Sequence, residues 1–341
     1  MNLRFFLRTR SHPRIKTPSY QRALDHQLSS VMRFFKRAGR LLGAAAFMTT
    51  RTRDRVCAVP AFVPTPLYLV LMLASAQLAL STPIRVVSQT VGSDELLLAV
   101  AEPSQIAALS HLAIDPSFSA IVKEAQPYPR ITPGGDAESI LKFSPTLVLF
   151  ANYSRVELVE QVRRAHVQVI VLDRYATLAD AYANLRLLAH ALGTDARAEK
   201  VIADCTHRVA TLEAKLRGVK PVRVIAPSIY ALIPGDQTTF QDLCDHAGAE
   251  NLAATIGHLY GHVSPPSEQM LTWPVDRIVV AGFNLNEAMA PLRNLPPYSL
   301  MPAVRENRAV LIDPYEISCV SHHRIDGYER LAHELHPEVF K

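Results

Sequence analysis

Paired histidines are the residues of this chain whose spacing could support metal chemistry. His258 and His262 are four residues apart, and His322 and His323 are adjacent. On a helix, histidines at i and i+4 lie on one face and can share a metal ion. A glycine directly precedes each member of the first pair, which makes a helix there unfavourable. The sequence therefore favours surface loops over a metal-binding helix and predicts no resident metal site.

The chain carries none of the short motifs that mark the commoner enzyme active sites. It has no Walker A sequence, no G-x-G-x-x-G after a strand, no G-x-S-x-G and no H-E-x-x-H. Downstream of residue 82, Cys205, Cys244 and Cys319 lack C-x-x-C spacing. Two of them could pair, but the odd number leaves at least one thiol free, and buried apolar packing is the favoured reading. The chain is predicted not to be an enzyme.

A short phrase with a glutamate near its start occurs twice. Residues 135–151 read GDAESILKFSPTLVLFA, and residues 265–282 read PPSEQMLTWPVDRIVVAG. Each copy places a glutamate, Glu138 or Glu268, before a proline and a strongly apolar stretch. Because proline cannot continue a helix and its predecessor favours extended backbone, each copy predicts a helix, a stop and a buried strand. Two such units predict two similar α/β lobes.

Strands alternate with helices from residue 84 to the end, which predicts an α/β fold with parallel-type sheets. The longest helical pattern covers residues 195–216, roughly 33 Å of helix. The other predicted helices carry Leu96–Val100 (capped by Ser93 or Asp94), Val156–Arg164, Leu178–Leu192, the segment between Thr238 or Thr239 and Gly248, and Ile325–Leu335. The predicted domains are a basic extension with a signal peptide at 1–81, an N-terminal lobe at 82–194, a linking helix at 195–217 and a C-terminal lobe at 218–341.

The positive charge of the chain is confined to its N-terminal segment. The net charge is +5, yet residues 1–55 hold 13 Lys or Arg and 2 Asp or Glu. The rest of the chain is therefore mildly acidic. Nucleic-acid binding needs a basic folded face, so no nucleic-acid partner is predicted.

An apolar run in the N-terminal segment resembles the core of a secretory signal. Leu67–Leu80 is bracketed by prolines and is shorter than the roughly 20 residues of a spanning helix. Ala74-x-Ala76 and Ala79-x-Ser81 offer cleavage sites. The prediction is a periplasmic protein, with an uncleaved anchor as the alternative. Residues 1–47 are long for a signal, and Met48 is a more natural start.

The ordered series of segments resembles the substrate-binding proteins of ABC importers for cobalamin and iron–siderophore complexes. The matching segments are IRVVSQTVGSDELLLAV, DAESILKFSPTLVLFA, VQVIVLD, the long helix, TTFQDLCDHAGAENLA and the second glutamate motif. The resemblance covers roughly residues 84–341. It implies a monomer of two α/β lobes joined by one rigid helix, with a metal chelate bound in the cleft between the lobes. No single segment is specific for this family, but the order of the segments along the chain is.

The resemblance also implies a role for the two repeated glutamates. In this family one glutamate on each lobe docks onto arginines of the permease dimer, and these positions match Glu138 and Glu268. The second copy is one residue shorter between glutamate and proline. The simpler alternative is that each carboxylate stabilises the start of its helix through the helix dipole.

Candidate ligand-binding residues follow from where clefts form in this fold. In open α/β sheets the ligand lies beyond the carboxyl ends of the strands. The candidates in those loops are Gln89, Thr90, Tyr153, Tyr175, Tyr230, Phe283, Tyr315 and His322. Their aromatic faces suit a large flat ligand such as a corrin, a porphyrin or an aryl chelate. Tyr315 or His322 could also ligate a haem iron or an open cobalt position.

The sequence thus predicts an exported solute-binding protein that delivers a metal chelate to an ABC permease. The ligand would be a cobalt corrinoid or a ferric chelate, with haem less favoured, and no cofactor is predicted. Two alternatives stay open. One is a binder of free zinc or manganese, which would need three or four converging ligands. The other is a periplasmic tetrapyrrole-handling enzyme on the same fold.

Overall fold

The structure, a computed structural model, describes residues 83–228 and 232–341. The strands are β1 (Val86–Ser88), β2 (Ile106–Ala108), β3 (Leu147–Ala151), β4 (Gln168–Leu172), β5 (Val222–Ile225), β6 (Ile233–Pro234), β7 (Ala249–Asn251), β8 (His262–Val263), β9 (Arg277–Ala281) and β10 (Ala309–Ile312). The helices are α1 (Val91–Val100), α2 (Ala137–Leu141), α3 (Val156–Arg164), α4 (Leu178–Leu192), α5 (Asp195–Leu216), α6 (Thr239–Ala247), α7 (Leu252–Thr255), α8 (Leu285–Asn294), α9 (Pro302–Arg305) and α10 (Arg324–Leu335).

Two four-stranded parallel sheets form the two lobes. The first lobe surrounds the sheet β2–β1–β3–β4, and the second surrounds the sheet β10–β9–β5–β7. All five residues of β3 are buried, as expected of an inner parallel strand covered on both faces. A short antiparallel pair, β6 with β8, lies beside the second sheet. The prediction of an α/β fold with two parallel-sheet lobes is confirmed.

Helix α5 connects the two hydrophobic cores. Its buried residues repeat at i, i+3 or i+4, which is one face of a helix. Ala198 and Ile202 pack in the core of the first lobe, whereas Cys205, Val209 and Leu212 pack in the core of the second. Because one uninterrupted helix is embedded in both cores, we expect the lobes to move little relative to each other. The helix predicted at 195–216 is confirmed, while the domain boundaries on either side stay a prediction.

Two local predictions differ from the structure. Helix α1 is capped by Thr90, whose hydroxyl accepts from the Ser93 amide, while Ser93 reaches back to the Thr90 amide. This is a capping box in which Ser93 is the third helical residue rather than the cap. The second glutamate motif forms a 3₁₀ turn, Gln269–Thr272, instead of an α-helix. The first copy forms α2 and β3 as predicted.

The signal peptide and the basic extension predicted for residues 1–81 lie outside the described residues. Within the described part of the chain, no helix combines the length and the apolar character needed to cross a bilayer.

Candidate functional site

A cavity of about 430 Å³ lies between the lobes. The loop after β4 lines it from the first lobe, and the start of α6, strand β8 and the loop after β10 line it from the second. The lining residues are Asp173, Arg174, Tyr175, Ala176, Asp180, Gln237, Thr238, Thr239, His262, Ser318 and Val320. The volume falls within the roughly 300–1,000 Å³ of small-molecule sites. This cavity is called the interlobe cavity below.

A second cavity of about 280 Å³ lies on the first lobe at the carboxyl ends of β1 and β3. Gln89, Thr90 and Tyr153 line it, so three of the predicted ligand-binding residues share one cavity. The Ser154 hydroxyl donates to the Gln89 side-chain oxygen at 2.7 Å. This hydrogen bond ties the loop after β1 to the loop after β3.

A pair of tyrosines joins the two cavities. The rings of Tyr153 and Tyr175 meet edge to face, with centroids 5.9 Å apart and planes at 69°. The Tyr175 hydroxyl donates to the side-chain oxygen of Asn152. The Tyr153 side chain is 61% exposed, so its ring is accessible to a ligand. The pair presents an aromatic surface between the interlobe cavity and the second cavity, where a flat ligand can stack.

Buried charges hold the walls of the interlobe cavity. Asp242 of α6 and Arg324 of α10 form an ion pair at 2.7 Å, with side chains 7% and 3% exposed. Asp242 also accepts from the Tyr328 hydroxyl and, at 3.2 Å, from the Leu178 amide of the first lobe. These contacts connect the two lobes behind the cavity.

The start of α1 forms a second contact between the lobes. The Ser321 hydroxyl donates to Glu95 at 2.5 Å, and the Ala120 amide donates to the same carboxylate at 2.9 Å. A Cβ atom at position 92 would overlap the side chain of Val320, so only glycine lets α1 approach this loop so closely. The helix therefore lies directly against a wall of the interlobe cavity.

The two repeated glutamates are both exposed at the start of a helical turn. Glu138 lies in the first turn of α2, after the cap Asp136, and Glu268 directly precedes the 3₁₀ turn of the second copy. Neither carboxylate is used by an ion pair among the described residues. Both are therefore free to engage a partner.

A family model described as periplasmic binding protein matches residues 86–316. The chain belongs to this family. Periplasmic binding proteins are solute-binding proteins of transport systems; they are not enzymes, and they hold transported ligands rather than cofactors. The predicted family and the prediction that the chain is not an enzyme are thereby confirmed.

Several known proteins are similar to this chain. The uncharacterized ABC transporter substrate-binding lipoprotein YvrC of Bacillus subtilis (strain 168) is 20% identical over 215 residues, covering 60% of this chain and 67% of that protein. The periplasmic haem-binding protein RhuT from Roseiflexus sp. RS-1 aligns with a TM-score of 0.64 and 21% identity, over 75% of this chain and 99% of that one. HutB, the periplasmic haem-binding protein of Vibrio cholerae, aligns with a TM-score of 0.63 and 21% identity, over 75% of this chain and 100% of that one. These structures share the fold.

The remaining candidates lie at other places in this periplasmic binding protein. Phe283 follows β9 and is 65% exposed. Tyr315 lines a separate groove beside α10, together with Asp326 and Arg330. The ring of His322 packs on that of His323, with centroids 4.2 Å apart, and burial lowers the pKa of His322 to about 3. Tyr230 lies outside the described residues.

His262 is a cavity residue that the sequence analysis assigned to a surface loop. It reaches the interlobe cavity because β8 pairs with β6. Among residues 83–228 and 232–341, no three His, Cys, Asp or Glu side chains come together as a metal site requires. The free-ion alternative therefore has no ligand set in this part of the chain.

We expect Asp242→Ala to destabilise the protein strongly. The substitution leaves the Arg324 guanidinium buried without its counter-charge, which typically costs about 3–5 kcal/mol. The matched control is Asp245→Ala on the same helix, since Asp245 is exposed and hydrogen-bonds only Gln241. Urea unfolding compares the two variants. Equal losses of unfolding free energy would contradict a special role for the buried pair.

We expect the contribution of Asp94 and Glu95 to the stability of the protein to decrease as pH rises from about 4 to about 7, against an opposite contribution from His322, whose lowered pKa favours folding as pH rises. Burial raises the pKa of Asp94 to about 7 and also raises that of Glu95. The folded state then binds these protons more tightly than the unfolded state, so unfolding free energy is lost as pH rises. Asp94→Asn mimics the protonated carboxyl and should remove about 2–4 kcal/mol of this dependence. Urea unfolding at both ends of the pH window measures it; an unchanged pH slope would exclude Asp94 as its source.

Proposed function

We propose that this protein is the solute-binding component of an ABC importer and that it captures a metal chelate between its lobes. The observation that carries the proposal is the interlobe cavity of about 430 Å³ with the Tyr153–Tyr175 pair at its mouth. Aromatic rings beside polar cavity walls suit a chelate with a flat conjugated part and polar edges. The chelate is favoured over a bare ion because the described residues offer no cluster of metal ligands.

The sequence resemblance and the structural neighbours support three candidate chelates. Cobalamin and ferric siderophores are the cargoes implied by the sequence resemblance, and RhuT and HutB are haem-binding proteins. All three cargoes carry a metal whose coordination sphere is largely filled by the chelator, so the protein needs to supply few ligands. We propose Gln89, Thr90, Tyr153 and Tyr175 as contacts from the first lobe, with Phe283 as a further contact from the second.

The proposed partner is an ABC permease dimer, engaged through Glu138 and Glu268. Both carboxylates are exposed, and one lies on each lobe. A rigid body that presents two charges can engage two basic sites only at a matching distance, which favours orientation and encounter rate. We propose that the folded part lies outside the cytoplasm, which membership of the periplasmic binding protein family supports, and that Leu67–Leu80 serves in its export.

Uptake of labelled chelates by cells tests the proposed function. Cells that lack this chain should accumulate less of one radiolabelled chelate among haem, cobalamin and a ferric hydroxamate, and expression of the chain should restore uptake. The chelate should be recovered from the protein chemically unchanged, since no turnover is proposed. Unchanged uptake of all three in the deleted strain would contradict the function, and a modified ligand would favour the enzyme alternative.

A further inference from the structure

One guanidinium group lies behind the interlobe cavity and hydrogen-bonds to three of the four segments that line it. Arg324, at the start of α10, is 2% exposed and is not among the described residues that line the cavity. It therefore has no direct access to a bound ligand. Its four hydrogen bonds nevertheless reach the loop after β4, helix α6 and the loop after β10, from which most of the lining residues come.

The first wall is the loop after β4 in the first lobe. Arg324 donates to the Tyr175 carbonyl at 2.8 Å and to the Ala176 carbonyl at 3.1 Å. Both residues line the cavity, and Tyr175 carries the ring that packs on Tyr153. The position of this ring thus depends on two carbonyls that the guanidinium holds.

The second and third walls belong to the second lobe. Arg324 donates to Asp242 at 2.7 Å, and Asp242 lies in the first turn of α6, three residues after the lining residue Thr239. Arg324 also donates to the Ser321 carbonyl at 3.3 Å, in the loop that supplies Ser318 and Val320 to the cavity. A planar fork of donors can hold several acceptors in a fixed arrangement, which a lysine ammonium cannot.

We propose that Arg324 is a positioning residue for cargo binding, which fixes the loop of Tyr175 against α6 and so holds the cavity in its ligand-ready shape. The inference rests on the proposed function for its effect on affinity. A preformed site loses less conformational freedom on binding than a mobile one. Replacing the Arg324 guanidinium should therefore lower the affinity for cargo even though no ligand contact is removed.

Arg324→Lys is the first test variant, made in the full chain. Hydrogen exchange without ligand should become about tenfold faster in residues 173–178, because the Tyr175 and Ala176 carbonyls lose a donor and the loop opens more often. The reporting amides are those of Thr177 and Leu178, which donate to Asp180 and Asp242. The matched control is Arg208→Lys, since Arg208 is also an ion-paired guanidinium, bound to Asp326 and Glu329, but touches no wall of the cavity. The control should leave exchange at 173–178 unchanged.

A second variant guards against failure to fold. Arg324→Met combined with Asp242→Asn removes both charges together, so neither remains buried without its counter-charge, and such replacements are commonly tolerated. The Asn side chain can still accept from the Leu178 amide. This double variant should keep a cooperative unfolding transition and still show the faster exchange at 173–178.

The affinity arm uses haemin, cyanocobalamin and a ferric hydroxamate as probes. The probe that binds the wild-type chain should bind Arg324→Lys about tenfold more weakly and Arg208→Lys equally well. Unchanged exchange at 173–178 in both Arg324 variants would overturn the inference. Faster exchange with unchanged affinity would overturn the positioning role. A wild-type chain that binds none of the probes would contradict the proposed function, while the exchange result still decides whether Arg324 holds this loop.

Discussion

Reversing the charge of both repeated glutamates, Glu138→Arg with Glu268→Arg, should abolish transport and leave cargo affinity unchanged. Both carboxylates are exposed and outside the two cavities, so the variant should fold and bind as before. If they meet basic sites on the permease, reversal replaces two attractions by two repulsions, and like-charge contacts at an interface cost several kcal/mol. The measurement pairs an uptake assay with an equilibrium titration of the same protein.

A second pair of glutamates supplies the control for the docking prediction. Glu157 and Glu287 are exposed residues in the first turns of α3 and α8, one on each lobe. Like the repeated pair, each lies at the start of a helical segment, where a carboxylate interacts favourably with the backbone dipoles. Reversal of both should lower stability slightly and leave uptake intact. If the two double variants behave alike, the repeated glutamates act only on their helices and the docking role fails.

Replacing both cleft tyrosines, Tyr153→Ala with Tyr175→Ala, should weaken cargo binding about a hundredfold or more. Buried aromatic anchors commonly contribute at least about 2 kcal/mol each to an interface, and both rings face the joined cavities. The Tyr153 ring is largely exposed without ligand, so its removal should cost little stability. Phe118→Ala serves as the control, because Phe118 is a similarly exposed aromatic of the first lobe outside both cavities.

The corresponding phenylalanine variant separates two kinds of contact. Tyr153→Phe with Tyr175→Phe keeps the rings and removes the hydroxyls. Near wild-type affinity would mean that the rings stack on the cargo, whereas a loss as large as that of the alanine pair would mean that a phenol oxygen is bound. Unchanged affinity in the alanine pair would exclude these residues from the site.

Local sequence signals were sufficient to predict the bounds of helices in which the capping residues and the hydrophobic periodicity indicate the same start and end. Helices α4 and α5 begin and end at the predicted residues, because an amphipathic pattern coincides with Gly193 after the first and with Asp195 at the start of the second. Helix α1 was misassigned at its cap because Thr90, Ser93 and Asp94 can all cap a helix, and only the folded geometry selects one. Helix α8 was missed since Pro291 lies inside it.

The interlobe cavity could not be predicted from local sequence patterns, because the contacts that form it join residues far apart in the chain. Asp242 and Arg324 are 82 residues apart in the chain, and Glu95 is 226 residues from Ser321. His262 enters the interlobe cavity only through the pairing of β6 with β8. The expectation that ligands lie beyond the carboxyl ends of the strands correctly grouped Tyr153 with Tyr175, because parallel strands β3 and β4 are neighbours and the loops that follow them are adjacent. It cannot say which loop residues turn toward the ligand.

Equilibrium titration of the purified chain with haemin, cyanocobalamin and a ferric hydroxamate tests the metal-chelate function most directly. The expected result is saturable binding of one of them at one molecule per chain, with a Kd below about 10 µM. The same titration of the double variant Tyr153→Ala with Tyr175→Ala should give an affinity about a hundredfold lower, which would assign the binding to the tyrosine pair. If none of the three chelates saturates the wild-type chain below about 10 µM, the proposed cargo class is contradicted, and if the affinity is unchanged after loss of both tyrosines, the proposed site is contradicted.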